Sequence, residues 1–288
     1  MPGVRRYIVI GCTVVCLVAA APARAGTLKC PPDSVKVGTN CIDTYEASVW
    51  QIDPVANKKL VDKVQAGKTT LADLTEGGAT QLSPSRPSSS CTPGYPANFP
   101  FDGNWTPVLG SNPPSPGIYA VSIPGVHPSA CITWFQANQA CLLSGKRLLT
   151  NREWQGAAAG TPDPGTDNGS TDCNISAAGD AVNTGSRSSC KSSWGVFDMV
   201  GNANEWVADW ADQETNCTDW TSQTGIAGGD RSCFGGPGNI NGLPELSIPG
   251  ALIRGGDFFS FGSGAGVFAV FVDPPQVSSG TFGFRCAR

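Results

Sequence analysis

The sequence predicts an α+β domain with few regular elements, tied together by disulfides. Three observations lead there. The element order reads as a strand near the start, a long loop, two short helices, more long loops and hairpin-like strands at the end, a pattern of segregated helices and strands. With 36 glycines and 23 prolines in 288 residues and only 15% charged side chains, few long helices are expected. The cysteines are numerous, and outside the leading segment their number is even, which in an exported chain reads as a disulfide framework.

Residues 1–25 carry the marks of a signal peptide. Arg5 and Arg6 form a positive start, residues 7–21 are an apolar run, and Ala23-Arg24-Ala25 is a small-x-small cleavage pattern. That run is short for a bilayer span, which needs ~20 apolar residues. No later segment is long and apolar enough, so no membrane span is expected after cleavage, and the destination is secreted or periplasmic. Residues 26–288 then form a single domain with a loop-rich insertion at about 51–126.

Cys12 and Cys16 leave with the signal peptide; Cys30, Cys41, Cys91, Cys131, Cys141, Cys173, Cys190, Cys217, Cys233 and Cys286 remain. A zinc site is a weak alternative, because there is no Cys-x-x-Cys and His127 is the sole histidine. Cys30 with Cys41 and Cys173 with Cys190 are expected to close small loops, and the spacing of Cys217 and Cys233 suggests another bridge. Each bridge contributes roughly 2–4 kcal/mol by restricting the unfolded chain. A net charge of −4 with no basic stripe argues against a nucleic-acid partner.

Along the mature chain, CPPDSVKVGTNCIDTYEASVW begins as turns and becomes a strand from Cys41. The 51–126 stretch contains SPSRPSSS and GSNPPSPG, which read as loop, with one short helix near 59–75. Regular structure returns at ITWFQANQACLLSGKRLLTNREW, where Ile132, Phe135, Ala140, Leu142 and Leu143 lie near helical spacing and Gly145 stops the helix. Thr150 stands three residues before Glu153, a capping box that starts a second helix in NREWQGAAAG. Residues 160–193 are loop again. From Ile253 onward, VFAVFV and FGFRC read as strands.

Two stretches suggest chemistry. In VFDMVGNANEW, Asp198, Asn202 and Glu205 bring three oxygen-bearing side chains together around Gly201, which suits a hard cation; the alternative is that Asn202 and Glu205 satisfy backbone groups in a turn and a helix start. In RGGDFFSFGSGAGVF and beyond, Phe258, Phe259, Phe261, Phe268 and Phe271 alternate with small residues. Aromatics on short loops supply contact area at low entropic cost, as in recognition surfaces. Strand alternation turns about half of them inward. A serine triad would need His127, which lacks a nucleophile elbow beside it, and no phosphate-binding glycine loop occurs.

Four segments, in order, carry a resemblance. CIDTYEASVW, HPSACITWFQANQACLLSGKRLLTNREWQGAAAG, WGVFDMVGNANEWVADW, and IRGG followed by GFRCAR together resemble the formylglycine-generating enzyme, or sulfatase-modifying-factor, family. The resemblance implies a modified C-type-lectin-like fold with much irregular structure. It implies calcium at Asp198, Gly201, Ala203 and Glu205, and a bridge between Cys141 and Cys286, which leaves Cys91 and Cys131 for each other. Active members of the family place two cysteines as Cys-x-x-x-x-Cys after the glycine pair, thiolates that a Cu(I) ion requires. The aligned positions here are Ser260 and Ala265, so copper is not expected. The sequence reading is therefore a secreted, non-catalytic member that binds a glycan, peptide or protein through the 257–282 region, with Asp257, Phe258, Phe259, Ser260 and Phe261 as contact residues. The alternative is a formylglycine-generating or related oxidase. A durable structural component of the cell envelope is the third reading.

Overall fold

The computed structural model of the chain describes residues 28–84, 91, 94–99, 101, 117–163, 167–176, 179–212, 239–240, 243–244 and 249–288. The expected signal peptide and the expected bridge between Cys217 and Cys233 lie outside these residues.

Strands β1 (Ser34–Val37) and β2 (Asn40–Asp43) form a tight antiparallel hairpin. Strand β3 (Ser48–Gln51) follows. The stretch expected as surface loop then builds helix α1 (Lys58–Gln65), helix α2 (Leu71–Glu76), strand β4 (Thr80–Leu82) and strand β5 (Ile118–Val121). These strands make a sheet in the order β4-β3-β5. The physical reason is a local apolar core: Leu60, Val61, Val64 and Leu74 pack against Trp50, Ile52, Tyr119 and Val121. Where one helix is expected near 59–75 there are two, because Gly67 turns the chain at φ 64° and Thr70 with Asp73 closes a capping box that starts a new helix.

Helix α3 (Trp134–Leu143) starts at a Thr133–Gln136 capping box, so Ile132 lies just ahead of it and not inside. It ends before Gly145, whose φ of 68° places it in the left-handed region that terminates helices. Strand β6 (Arg147–Leu148) leads into helix α4 (Asn151–Ala157), and the expected Thr150–Glu153 capping box is formed. After a long irregular stretch come β7 (Asn204–Asp212), β8 (Asn239–Ile240), β9 (Leu243–Pro244), β10 (Pro249–Gly255), β11 (Gly266–Asp273), β12 (Phe282–Phe284) and β13 (Cys286–Ala287).

The central sheet runs β11-β10-β7-β12, with β12 parallel to β7 and the other pairs antiparallel. A second sheet runs β1-β2-β13-β6, and β8 pairs with β9. Adjacent residues of β7 and β10 feed opposite faces, as the two-residue period of a strand requires. Trp206 and Ile253 join Phe284, Cys141 and Cys286 on one side. Val207 and Leu252 join Trp154, Met199 and Val272 on the other. Both faces of the sheet are therefore covered. Bridges join Cys30 to Cys41, Cys91 to Cys131, Cys141 to Cys286 and Cys173 to Cys190, in agreement with the expected pairings.

Candidate functional site

The motif segments converge on a buried polar hub. Glu205, at the start of β7, accepts from Trp154 Nε1 at 2.7 Å and from Arg285 Nε at 2.9 and 2.8 Å. Arg285 also donates to the Phe197 carbonyl at 2.9 Å, so the last motif, GFRC, is fastened to the WGVFDMVGNANEW segment. Beside this pair, Glu46 accepts from Ala203 N at 2.9 Å and from Asn202 Nδ2. Asn202 Oδ1 in turn accepts from Val182 N at 2.8 Å and Asn174 Nδ2 at 3.1 Å. Asp198 accepts from Gly185 N at 2.7 Å through one oxygen and leaves the other, buried, without a partner.

Three carboxylates facing one guanidinium out of water shape the proton affinities. Burial pushes the Asp198 carboxyl up to about 7, against the opposing pull of the Gly185 N–H and Arg285. Glu46 is raised well above the usual carboxylate range by burial and then by the charges of Asp198 and Glu205.

A second buried network lies next door. Lys146 pairs with Asp33 and Asp43, both at 2.7 Å, and Arg288 reaches Asp33 at 3.0 Å. Lys146, expected from the sequence to be favourable charge at a helix end, is thus a fully buried cross-link between α3, the first hairpin and the tail. Burial raises Asp43 to about 6 despite Lys146. For Asp33 burial acts upward too, but Lys146 and Arg288 outweigh it and hold the carboxyl below its usual range.

Of the residues expected to hold calcium, Asp198 keeps one buried carboxylate oxygen without a partner among the described residues; Gly201 donates its N–H to the Gly255 carbonyl and Ala203 donates to Glu46, bonds that do not engage the carbonyl oxygens a cation would use. Glu205 has both oxygens engaged by Arg285 and Trp154, so its carboxylate is not available to a cation unless Arg285 is displaced. Among the described residues no group of three or more His, Cys, Asp or Glu is arranged to hold a metal ion.

The glycine pair Gly255-Gly256, at the end of β10, shapes the loop that follows. Gly255, at φ 90°, packs where a Cβ would stand 3.1 Å from both Trp154 and the Met199 carbonyl. A Cβ on Gly256 would collide with Gly264 and Ala265, so the loop folds back on itself only because both positions are bare. Ser260 Oγ accepts from Asp257 N at 3.0 Å and donates to Asp257 Oδ1 at 3.0 Å. Asp257 also accepts from Phe259 N at 2.9 Å and Asn204 Nδ2 at 2.7 Å. Ala265 is buried beside Cys173, Cys190, Ile175 and Val200. No thiol stands at either position, so the residues present do not fit a thiolate-bound copper ion.

The five expected contact residues therefore divide. Phe258 is fully buried and packs against Phe259 in a tilted arrangement with ring centroids 4.4 Å apart, while Asp257 and Ser260 hold the turn together. Phe259 is 43% exposed, Phe261 75% and, on β11, Phe268 72%. Residues that the sequence reading passed over include Glu46, Arg285 and Asn174. Glu46 and Arg285 sit inside quoted motifs; Arg285 was marked as a lone base in the otherwise apolar GFRC, whereas Glu46 is one of two acids in CIDTYEASVW and carried no such signal.

Comparisons with known proteins agree with this arrangement of motifs. The sulfatase-modifying factor enzyme 1-like domain model matches residues 24–288. The formylglycine-generating enzyme of Streptomyces coelicolor is 29% identical over 183 residues, covering 56% of this chain and 52% of its own length. The chain thus spans about half the length of that curated relative. Among solved structures, the Major Tropism Determinant U1 variant overlays with a TM-score of 0.42 at 19% identity, covering 89% of this chain and 52% of its own. PvdO from Pseudomonas aeruginosa gives 0.42 at 19% identity, covering 86% and 80%. With the family model running from the leading segment to the final residue, the chain belongs to the sulfatase-modifying factor enzyme 1-like domain family.

Proposed function

We propose that this chain is a secreted or periplasmic, non-catalytic member of the family that binds a glycan, peptide or protein through the 257–282 region. The observation that carries the reading is the pair Ser260 and Ala265 at the positions where active members place copper-binding cysteines. Ser260 spends its hydroxyl on Asp257, and Ala265 is packed in an apolar cluster, so neither side chain is poised for a metal. Phe259 and Phe261 project outward from a turn stiffened by Asp257, and Phe268 projects outward from β11, which supports a contact surface. The disulfides support an oxidising destination. Among the described residues no helix is long and apolar enough to cross a membrane.

The second reading, a formylglycine-generating or related oxidase, is favoured by the name of the Streptomyces relative. One experiment separates the two. The disulfide-formed protein is incubated with copper, oxygen, a thiol reductant and a Cys-x-Pro-x-Arg peptide, and cysteine-to-aldehyde conversion is followed by mass spectrometry beside an active enzyme. No conversion is expected; conversion above the metal-only control overturns the non-catalytic reading. A glycan and peptide panel probed with the wild type and with Phe259→Ser/Phe261→Ser then tests the binding half.

A further inference from the structure

On a separate part of the surface lies a groove of about 490 Å³, bounded by the β1–β2 turn, one side of α4 and Trp194. Its size falls within the roughly 300–1,000 Å³ typical of small-ligand sites. Trp194 is 47% exposed, yet its ring is fixed, because Nε1 donates to the Gly156 carbonyl at 3.0 Å. With its N–H already used, the indole offers a ligand only its π face.

The groove's polar lining has a definite charge. Glu153 is saturated: Arg147 binds both of its oxygens at 2.7 Å, Asn40 Nδ2 donates at 2.7 Å and Thr150 N at 2.9 Å. Arg152 is exposed and has no hydrogen-bond or ion-pair partner among the described residues. Two guanidiniums against one carboxylate leave a positive excess. Arg152 and Gly156 are four residues apart on α4, so the free guanidinium projects from the same helix face on which Trp194 rests. A Cβ on Gly156 would meet nothing within 4 Å, so the space above it is open. Exposed Thr39 and half-buried Asn40, from the β1–β2 hairpin, also line the groove.

We propose that this groove is a second binding site, for a saccharide that carries a carboxylate or sulfate. The C–H face of a sugar ring stacks on Trp194, its acidic group pairs with Arg152, and its hydroxyls bond to Thr39 and Asn40. An aromatic face supplies affinity for a ring with no net dipole requirement. The guanidinium supplies bidentate recognition of a planar carboxylate or of a sulfate.

The test titrates the full mature protein with a hexuronate oligomer, a sulfated hexose oligomer and a neutral oligomer of equal length, read by tryptophan fluorescence and calorimetry. Binding of at least one acidic oligomer is expected, at least tenfold tighter than the neutral one; the tighter of the two names the acid group. Trp194→Ala is expected to weaken that binding at least tenfold, and Arg152→Gln to abolish the preference for acid over neutral. Gly156→Gln fills the groove without touching the core and is expected to block binding, which guards against misfolding of the tryptophan variant. Phe259→Ser/Phe261→Ser is expected to leave it unchanged, so this site stands or falls apart from the 257–282 surface. Absence of binding by both acidic oligomers, equal binding of the neutral one, or binding indifferent to Arg152→Gln and Gly156→Gln overturns the proposal.

Discussion

Removing the bridge between Cys141 and Cys286 is the perturbation whose cost the structure fixes best. The bridge spans 145 residues and joins α3 to the last strand, whereas the Cys30–Cys41 bridge spans only 11. Loop-closure entropy of the unfolded chain gives about 5 kcal/mol for the long loop and about 3 for the short one. Cys141 and Cys286 are also fully buried in the main core cluster, so truncation to alanine adds a small packing loss on the same side of the ledger. The double variants Cys141→Ala/Cys286→Ala and Cys30→Ala/Cys41→Ala are compared by urea unfolding under non-reducing conditions. The long-loop variant is expected to lose about 2 kcal/mol more than the short-loop one. Its denaturant slope is expected to rise, because an unfolded chain with fewer cross-links exposes more surface. Equal losses, or a larger loss from Cys30→Ala/Cys41→Ala, refute loop closure as the dominant contribution.

Other expectations follow from the buried hub. Arg285→Met leaves Glu205 buried and unpaired, which costs about 3–5 kcal/mol and is read in the same urea assay; a loss under 1 kcal/mol refutes the pairing. Asp198 binds a proton more tightly folded, with its pKa up at about 7, than unfolded. Its contribution to stability is thus full below about pH 4 and is lost as pH rises to about 7, with a slope of up to ~1.4 kcal/mol per pH unit. Asp198→Asn should flatten that part of the profile, and an unchanged profile counts against the assignment. Chelator is expected to leave the thermal midpoint unchanged, since Arg285 already neutralises Glu205; bound calcium whose removal lowers the midpoint shows that Glu205 releases Arg285 for the ion. Phe259→Ser/Phe261→Ser should alter stability by no more than about 0.5 kcal/mol, as for exposed positions, and a larger loss reassigns these rings to packing.

Local signals in the sequence were the ones that could be read. Thr150 with Glu153, and Gly145 with its left-handed φ, act within a few residues, so the second helix and the end of the first were legible. The short-range bridges at Cys30–Cys41 and Cys173–Cys190 were legible for the same reason. The β3–β5 pairing was hidden, because Val49 meets Ala120 across a stretch whose proline and serine runs signal only loop. At the site, Ser260 and Ala265 were visible as missing thiols, but the split among neighbouring phenylalanines was not. Phe258 is core and Phe259 surface in a turn that Asp257 holds by accepting from Phe259 N, and the sequence does not say which of the two adjacent rings faces inward. Glu46 meets Asn202 across a sequence gap of 156, and no periodicity carries such a contact. Trp194 is one of eight tryptophans, and its bond to the Gly156 carbonyl spans 38 residues, so nothing local in the sequence marks it.

The placement of β12 and β13 has a consequence for biogenesis. Ala287 stands opposite Ile42 on one side and Arg147 on the other, Arg288 exchanges backbone hydrogen bonds with Cys41, and Phe282 to Phe284 run along the edge of β7, so two sheets stay unfinished until residues 282–288 emerge. A growing chain therefore has no early resting point in which its first hairpin is fully paired. Such distant pairings also make for slow folding. A protein shortened before Phe282 would present open strand edges to its neighbours and aggregate.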